Sequence, residues 1–179
     1  MKKKELIERW DSDPEWIDKR KEIQNALVSS TGQQKYVKSD LRGLKIAWED
    51  MRSPWIKGKI FEEIDFSYVD FSHCTIERCI FRNCIFRYTI LANITEDRCE
   101  FSDCVFYKGK MNGWIGLWGS LYKNVTFDQI KLSSIIMFYP DFENCQFNNC
   151  NLRKTEFKGA ILNHVEIIGI VSDVKFKGR

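Results

Sequence analysis

Residues 74–87 read CTIERCIFRNCIFR, and the spacing in this stretch recurs along most of the chain. Each cysteine is followed two residues later by a large apolar residue, and the unit repeats every five residues. A helix repeats every 3.6 residues and a strand every two, so this period excludes a single helix or a flat strand. The chain is therefore expected to coil, so that side chains five residues apart share one interior.

The large apolar position can be followed outward from this stretch as two series. The first runs in steps of five through Phe61, Phe66, Phe71, Ile76, Phe81, Phe86, Leu91, Glu96, Phe101, Phe106 and Met111. The second runs through Leu117, Tyr122, Phe127, Leu132, Met137, Phe142, Phe147, Leu152, Phe157, Leu162 and Ile167. The series are offset by one residue. Because Asn112 and Gly113 suit a turn or bulge, the sequence predicts a one-residue phase slip near 112–113.

The residue two places before each large one is small or β-branched. All seven cysteines fall on this position, and 11 of the 13 phenylalanines fall on the large one. The other three residues of each unit are mostly polar and are expected to face outward. This pattern predicts a solenoid in which each coil buries its side chains only by stacking on a neighbour.

Several segments carry a recognisable repeat, among them Asp40-Leu41-Arg42-Gly43 and Gly159-Ala160-Ile161-Leu162. The chain resembles the pentapeptide-repeat proteins over about residues 41–167, mostly in a Cys-x-Phe version of the repeat, as the quinolone-resistance members do. The resemblance implies an all-β fold, a right-handed quadrilateral β-helix with four pentapeptides in each coil. No disulfide or metal is needed to stabilise such a stack.

The ends of a solenoid need covers, because they expose unpaired strand edges. Residues 1–40 are predicted to form an N-terminal α-helical cap, and residues 41–179 the β-helix. Asp13 and Pro14 suit the start of a helix. The side chains expected to cover the first coil are apolar: Leu6, Trp10, Trp16, Ile23 and Leu27. A helix that docks a partner protein is the alternative.

Composition excludes several function classes. The net charge is +3, with 28 bases and 25 acids, and no basic stripe favours nucleic-acid binding. No apolar run approaches the roughly 20 residues of a membrane span, and no apolar stretch follows Lys2 to Lys4 as a signal peptide would require. An odd number of cysteines fits a reducing compartment, so a cytoplasmic protein is predicted.

The chain offers no argument for an enzyme. His73 and His164 lie far apart on outward positions, without a nucleophile in a recognisable motif. The cysteines lack the close pairs that bind zinc and are interpreted as small core side chains, although those twenty residues apart could geometrically form disulfides. No cofactor or metal site is predicted.

Glu96 is the one charged residue on an inward position. Burying an unpaired carboxylate costs several kcal/mol. We expect the coil to distort so that Glu96 turns outward; the alternative is a carboxyl neutralised inside the core.

Outward positions twenty residues apart should share a face. Trp118 and Phe138 are predicted to stack, with Tyr139 and Ile136 beside them, as an exposed apolar patch for a partner. Ile85 and Val105 form a smaller patch, and Tyr68, Tyr88 and Lys108 form a further column.

These observations favour a non-enzymatic, structural or protein-interaction solenoid of unknown partner. The family resemblance raises one alternative, a DNA-mimicking binder of DNA gyrase or topoisomerase IV, which the net charge of +3 disfavours. It also implies a homodimer through the C-terminal end.

Overall fold

The computed structural model describes residues 2–29, 33–46, 53–170 and 174–178. Two helices come first, α1 at Lys3–Ser12 and α2 at Pro14–Val28. Within these ranges eighteen strands follow: β1 Lys35–Val37, β2 Trp55–Lys57, β3 Ile60–Glu62, β4 Thr75–Glu77, β5 Ile80–Arg82, β6 Ile85–Arg87, β7 Thr95–Asp97, β8 Glu100–Ser102, β9 Val105–Tyr107, β10 Ile115–Gly116, β11 Leu121–Lys123, β12 Thr126–Asp128, β13 Ile136–Phe138, β14 Asp141–Glu143, β15 Gln146–Asn151, β16 Glu156–Asn163, β17 Glu166–Ile170 and β18 Lys175–Gly178.

The strands build a right-handed, four-sided β-solenoid of about six coils, which confirms the predicted fold. The first face carries β1, β3, β5, β8, β11 and β14, and the second carries β6, β9, β12, β15 and β17. The third face has isolated bridges such as Asp70 to Ile90. The fourth carries β2, β4, β7, β10, β13 and β18. Strand β16 turns the corner from the fourth face to the first, pairing with β13 and β14 in turn.

In the described residues, and apart from the phase slip, each corner uses one residue with a positive φ, two places after the large inward residue. Examples are Asn83 at 52°, Asp103 at 54° and Asn144 at 52°. Asn, Asp and Gly tolerate this conformation best, whereas β-branched side chains do not. No Val, Ile or Thr is found among the described residues with positive φ. The outward positions are therefore selected by the turn as well as by solvent.

The core consists of aromatic rings that stack from coil to coil. The rings of Phe61, Phe81 and Phe101 lie 4.9 and 4.7 Å apart, and Tyr122 continues the ladder at 5.1 Å. A second ladder contains Phe66, Phe86, Phe106, Phe127 and Phe147. These distances match the ~4.8 Å spacing of paired strands, so the backbone ladder and the ring ladder have one repeat.

The phase slip is real, but it lies further along the chain than predicted. Gly116 pairs with Glu96, still twenty residues apart, whereas Leu121 pairs with Glu100, 21 apart. The extra residue therefore falls between Gly116 and Leu121, not near 112–113. Leu117 is 41% exposed and does not belong to the inward series. Leu117 is apolar and therefore fitted the predicted series of large inward residues. The residue that occupies this inward position is Gly116.

The N-terminal helices cap the first coil, as predicted. Leu6, Trp10 and Leu27 are buried, and Trp16 and Ile23 pack against the core. The indole nitrogen of Trp10 donates to the Arg42 carbonyl at 2.9 Å, and Arg9 pairs with Asp40 at 2.7 Å. Gly43 has a φ of 74°, and a Cβ there would lie 2.3 Å from the Leu6 carbonyl oxygen, so the close approach of α1 requires glycine.

The pairing of the first strand concerns the boundary between the N-terminal helical cap and the solenoid. Strand β1 already pairs with β3, from Lys35 to Ile60, before the predicted boundary at residue 40. The boundary itself stays a prediction. At the other end, Leu162 pairs with Phe142 but is 41% exposed, unlike the inward residues of earlier coils.

Candidate functional site

The fourth face carries a contiguous exposed apolar surface on two adjacent coils. We call it the aromatic patch; its members are Ile115, Leu117, Trp118, Ile136, Phe138 and Tyr139. Trp118 is 59% exposed, the highest value among the large hydrophobic side chains described. Phe138 is half-buried. Apolar surface of this kind, concentrated in one place, is typical of contact sites.

Ring stacking fixes the shape of the aromatic patch. Trp118 and Tyr139 stack with centroids 5.6 Å apart and planes 10° apart, so the ring on which Trp118 stacks is Tyr139, whereas Phe138 was predicted. The ring of Phe138 lies under Lys158, whose Nζ is 5.0 Å from the centroid. Tyr139 in turn covers Gly159, where a Cβ would lie 2.5 Å from the tyrosine ring. The rings of the aromatic patch are therefore held in place by contacts with one another and with neighbouring residues.

The phase slip is what exposes two of these side chains. In an uninterrupted coil the chain between Gly116 and the next corner would have one residue fewer. The extra residue pushes both Leu117 and Trp118 outward, and the backbone regains its pairing through a bond from the Gly119 amide to the Phe138 carbonyl at 3.1 Å. Sequence reasoning missed Ile115 and Leu117 because it placed the slip before them. The strand pairing of Ile115 with Ile136 brings both into the patch.

Glu96 pairs with Gly116, which comes just before the slip, and it is 1% exposed, so the expected outward distortion is wrong. Its carboxyl accepts a hydrogen bond from the Tyr122 hydroxyl at 3.1 Å. The coil above provides space because Gly116 has no side chain; a Cβ there would lie 3.4 Å from Glu96 Oε2 and 3.1 Å from Met137 Cγ. Glu96 thus fills a core position that glycine leaves empty.

Burial raises the pKa of Glu96 to about 7, although Ser120, Tyr122 and Trp114 oppose the rise. Glu96 Oε1 and Trp114 Nε1 make no hydrogen bond within ordinary geometric limits. Burial also holds the pKa of Tyr122 well above its usual range, so the phenol remains a donor. In such a setting, burying the neutral acid costs less free energy than burying the carboxylate.

The second face carries the smaller predicted patch. Ile85 and Val105 are 38% and 41% exposed and pair directly. Tyr68 and Tyr88 stack at 5.2 Å beside them, and Tyr107 meets Tyr88 edge-on at 5.9 Å. Lys108 lies 5.0 Å above the Tyr107 ring. Arg87 also lies over the Tyr107 ring, so cations contact the rings of this surface as Lys158 contacts Phe138 in the aromatic patch.

The remaining candidate side chains, the cysteines and the histidines, do not come together in one site. All seven cysteines are buried thiols, and burial raises the pKa of Cys74 to about 12 and of Cys150 to about 11. His73 and His164 lie at separate exposed corners. Within the described ranges, no group of three or more metal-ligating side chains comes together, and no helix is long and apolar enough to cross a bilayer.

Comparisons with known proteins find one sequence family and several solved structures that this chain resembles. A family model for pentapeptide repeats matches eight copies, over residues 61–94 and 141–170. A trypsin-treated form of QnrB1, a plasmid-mediated fluoroquinolone resistance protein, aligns with 81% of this chain and 80% of its own, at 14% identity and a TM-score of 0.52. The pentapeptide repeat protein Rfr23 from the cyanobacterium Cyanothece 51142 aligns with 69% of this chain and 64% of its own, at 13% identity and a TM-score of 0.35. No curated protein sequence matches significantly. At such identities the likeness to QnrB1 shows the fold alone.

Proposed function

Because the chain is a pentapeptide-repeat protein, we propose that it acts as a non-enzymatic solenoid that holds a protein partner on its fourth face. One observation carries the proposal: the aromatic patch exposes Trp118, Tyr139 and four neighbouring apolar side chains at one place on a rigid surface. Trp and Tyr dominate the binding energy of most protein interfaces. A patch already ordered by ring stacking loses little side-chain entropy on binding.

The solenoid also explains why a partner would find the patch preformed. Each coil is held by parallel pairing on both sides, for instance β13 between β10 and β16. Buried side chains such as Ile76, Met137 and Phe157 lie behind the fourth face, so this face has few ways to rearrange. We expect a partner to meet this face as a nearly rigid body.

The test is a quantitative pull-down from native cytoplasm with wild-type protein and two matched double variants. Trp118→Ala with Phe138→Ala removes rings from the aromatic patch. Ile85→Ala with Val105→Ala removes exposed apolar groups from the second face. A partner that is lost in the first variant and kept in the second supports the proposal. Equal recovery from all three proteins contradicts it.

The alternative, a DNA-mimicking binder of gyrase or topoisomerase IV, requires continuous columns of acids. Several acids of the described faces are instead paired with bases, including Lys57 with Glu77 at 3.0 Å, Arg98 with Asp97 at 2.6 Å and Lys123 with Glu143 at 3.0 Å. Pairs of this kind leave little net negative potential along a face. A gyrase supercoiling assay separates the two functions, since the interaction solenoid predicts no inhibition at micromolar protein.

Two further parts of the proposal concern assembly and location. A homodimer through the C-terminal end is supported by Leu162 and Ile168, which are 41% and 51% exposed on the last coils. A cytoplasmic location is supported by seven buried, unbridged thiols. Light scattering of an Ile168→Asp variant tests the end-to-end dimer, because a charge there should leave only monomer.

A further inference from the structure

We propose that the partner of the aromatic patch is an acidic segment of another protein, which packs apolar side chains on the patch and places carboxylates against the basic side chains around it. The inference rests on the proposed function and names the chemistry of the partner at the same site. The observation that carries it is the charge on the third and fourth faces beside the patch, which is positive and mostly without acidic partners.

Charged residues are distributed unevenly around the aromatic patch. On the four coils that contain and border it, the third and fourth faces comprise residues 89–98, 109–119, 130–139 and 150–159. These stretches contain six basic residues: Arg98, Lys110, Lys131, Arg153, Lys154 and Lys158. They contain three acids: Glu96, Asp97 and Glu156. The patch therefore lies within a region in which bases outnumber acids.

The three acids contribute little negative charge to the surface of this region. Two of them, Glu96 and Asp97, are at most 7% exposed. The third, Glu156, reaches solvent but is shared by two bases, Lys158 at 3.2 Å and Lys175 at 3.3 Å. A partner that approaches the aromatic patch would therefore meet the exposed basic side chains rather than the acids.

The third face carries basic side chains that have no acidic partner. Four of them are exposed beside the aromatic patch: Lys110, Lys131, Arg153 and Lys154. Within the part of the chain that the structure describes, none of the four forms an ion pair. Lys110 also pairs directly with Lys131 on the next coil, and like charges at opposed positions destabilise the free protein. Negative charge on a partner would remove this repulsion.

The basic side chains and the aromatic patch belong to one continuous surface. Lys110 precedes Ile115 of the patch by five residues on the same coil, and Lys131 precedes Ile136 by the same interval. A single corner separates the third face from the fourth, and on the following coil Lys154 forms that corner with a φ of 56°. One extended segment can therefore contact both. An apolar centre with charged residues at its margin is the arrangement of a specific protein interface.

The apolar centre favours an acidic protein over a nucleic acid, which would also be attracted by the bases. Single-stranded nucleic acids stack their bases on free aromatic faces. In the aromatic patch, Trp118 and Tyr139 stack on each other, and Lys158 lies over the ring of Phe138. The remaining members of the patch are aliphatic. Apolar side chains of a peptide suit such a centre, and carboxylates of the same peptide suit its basic margin.

The first experiment selects peptides from a random displayed library on the immobilised wild-type protein. Enriched sequences should combine Asp and Glu with Trp, Phe or Leu and should have a net negative charge. Two double variants lose the same charge from different faces: Lys110→Gln with Lys131→Gln on the third, and Arg82→Gln with Lys123→Gln on the first, where both side chains are also exposed. The enriched peptides should be lost on the first variant and kept on the second. Enrichment of neutral or basic peptides, equal recovery on both variants, or no enrichment at all would overturn the inference.

The second experiment measures the binding rates of one enriched peptide at low and at physiological salt. Charges at the margin of an interface act mainly on the association rate, whereas most other interface changes act on the dissociation rate. Lys110→Gln with Lys131→Gln should slow association at low salt by roughly three- to tenfold. Trp118→Ala with Phe138→Ala should instead speed dissociation. A lysine variant whose association rate and salt dependence match those of wild type contradicts the inference.

The outcomes distinguish this inference from the proposed function. Uncharged apolar peptides that bind wild type and are lost with Trp118→Ala and Phe138→Ala leave the proposed function standing and defeat the acidic partner. Peptide binding that this variant does not change defeats both. A single-stranded oligonucleotide that binds more tightly than any enriched peptide at physiological salt assigns the bases to a nucleic acid and overturns the inference. Self-association of wild type that is lost with Lys110→Gln and Lys131→Gln makes a second copy the partner, which also overturns it.

Discussion

The hydroxyl of Tyr122 donates a hydrogen bond to the carboxyl of Glu96 at 3.1 Å, joining consecutive coils inside the core. A carboxyl is accepted in this apolar interior because the phase slip begins only after Gly116, so that Gly116, with no side chain, stays paired above Glu96. Polar partners converge there from different parts of the repeat, with Ser120 and Trp114 also acting on the carboxyl. The slip therefore shapes both the interior and the exposed aromatic patch.

The pKa of Glu96 predicts that the protein loses stability as pH rises toward neutrality. The pKa is about 7 in the folded protein against an ordinary value of 4.5, so the folded state binds the proton more tightly. The stabilisation is complete below about pH 4.5 and is lost as pH rises through about 7, a change of about 3 kcal/mol. Urea unfolding of wild type and Glu96→Gln at pH 4 to 8 measures it.

Glu96→Gln is the control for other titrating groups. The free energy of unfolding of the variant minus that of wild type should grow between about pH 4.5 and 7 and then remain constant. A difference that does not change with pH would show that Glu96 does not titrate in the core.

We predict that the stability of the N-terminal helical cap depends on the buried side chain of Lys59. It is fully buried, and its Nζ contacts the Ser29 carbonyl at 3.1 Å and Gln34 Oε1 at 3.4 Å, at the end of α2. Lys59→Met should destabilise the protein by about 1–3 kcal/mol, because the carbonyl loses a buried donor. Far-ultraviolet circular dichroism during heating should show the helical signal melting earlier; Lys57→Met, an exposed neighbour, should leave it unchanged.

The burial of the thiols predicts their reactivity. All seven cysteines are unbridged and at most 2% exposed, so none should react with a thiol reagent in the native protein. All seven should react after unfolding in guanidinium. Fast native labelling of Cys79, Cys84, Cys99 or Cys104, counted by mass spectrometry, would contradict the stacked core.

The five-residue period predicted the stacked interior because that interior depends on a local pattern. The position of the slip could not be predicted in the same way. Leu117 is as apolar as the true inward residues, whereas Gly116 gives no sign in the sequence that it occupies a core position. The polar groups around Glu96 were equally hidden, since Tyr122 and Trp114 approach it only after the coils stack.

The candidate surface was predicted in part for the same reason. Trp118, Tyr139 and Ile136 do lie together and exposed, because columns twenty residues apart share a face even when the slip is misplaced by a few residues. Phe138 is half-buried, and Ile115 and Leu117 join the surface through the corrected register. Lys59 escaped notice because its column was followed only from Ile64 onward.

The register at the slip is the claim on which both the aromatic patch and the Glu96 site depend, and Leu117 tests it most directly. The free energy of unfolding should be measured for Leu117→Asp and, as a buried reference, Leu132→Asp. With Leu117 at the surface, the first variant should differ from wild type by less than about 0.5 kcal/mol, while the second should lose several kcal/mol. Equal, large losses in both variants would place Leu117 in the core and contradict the account.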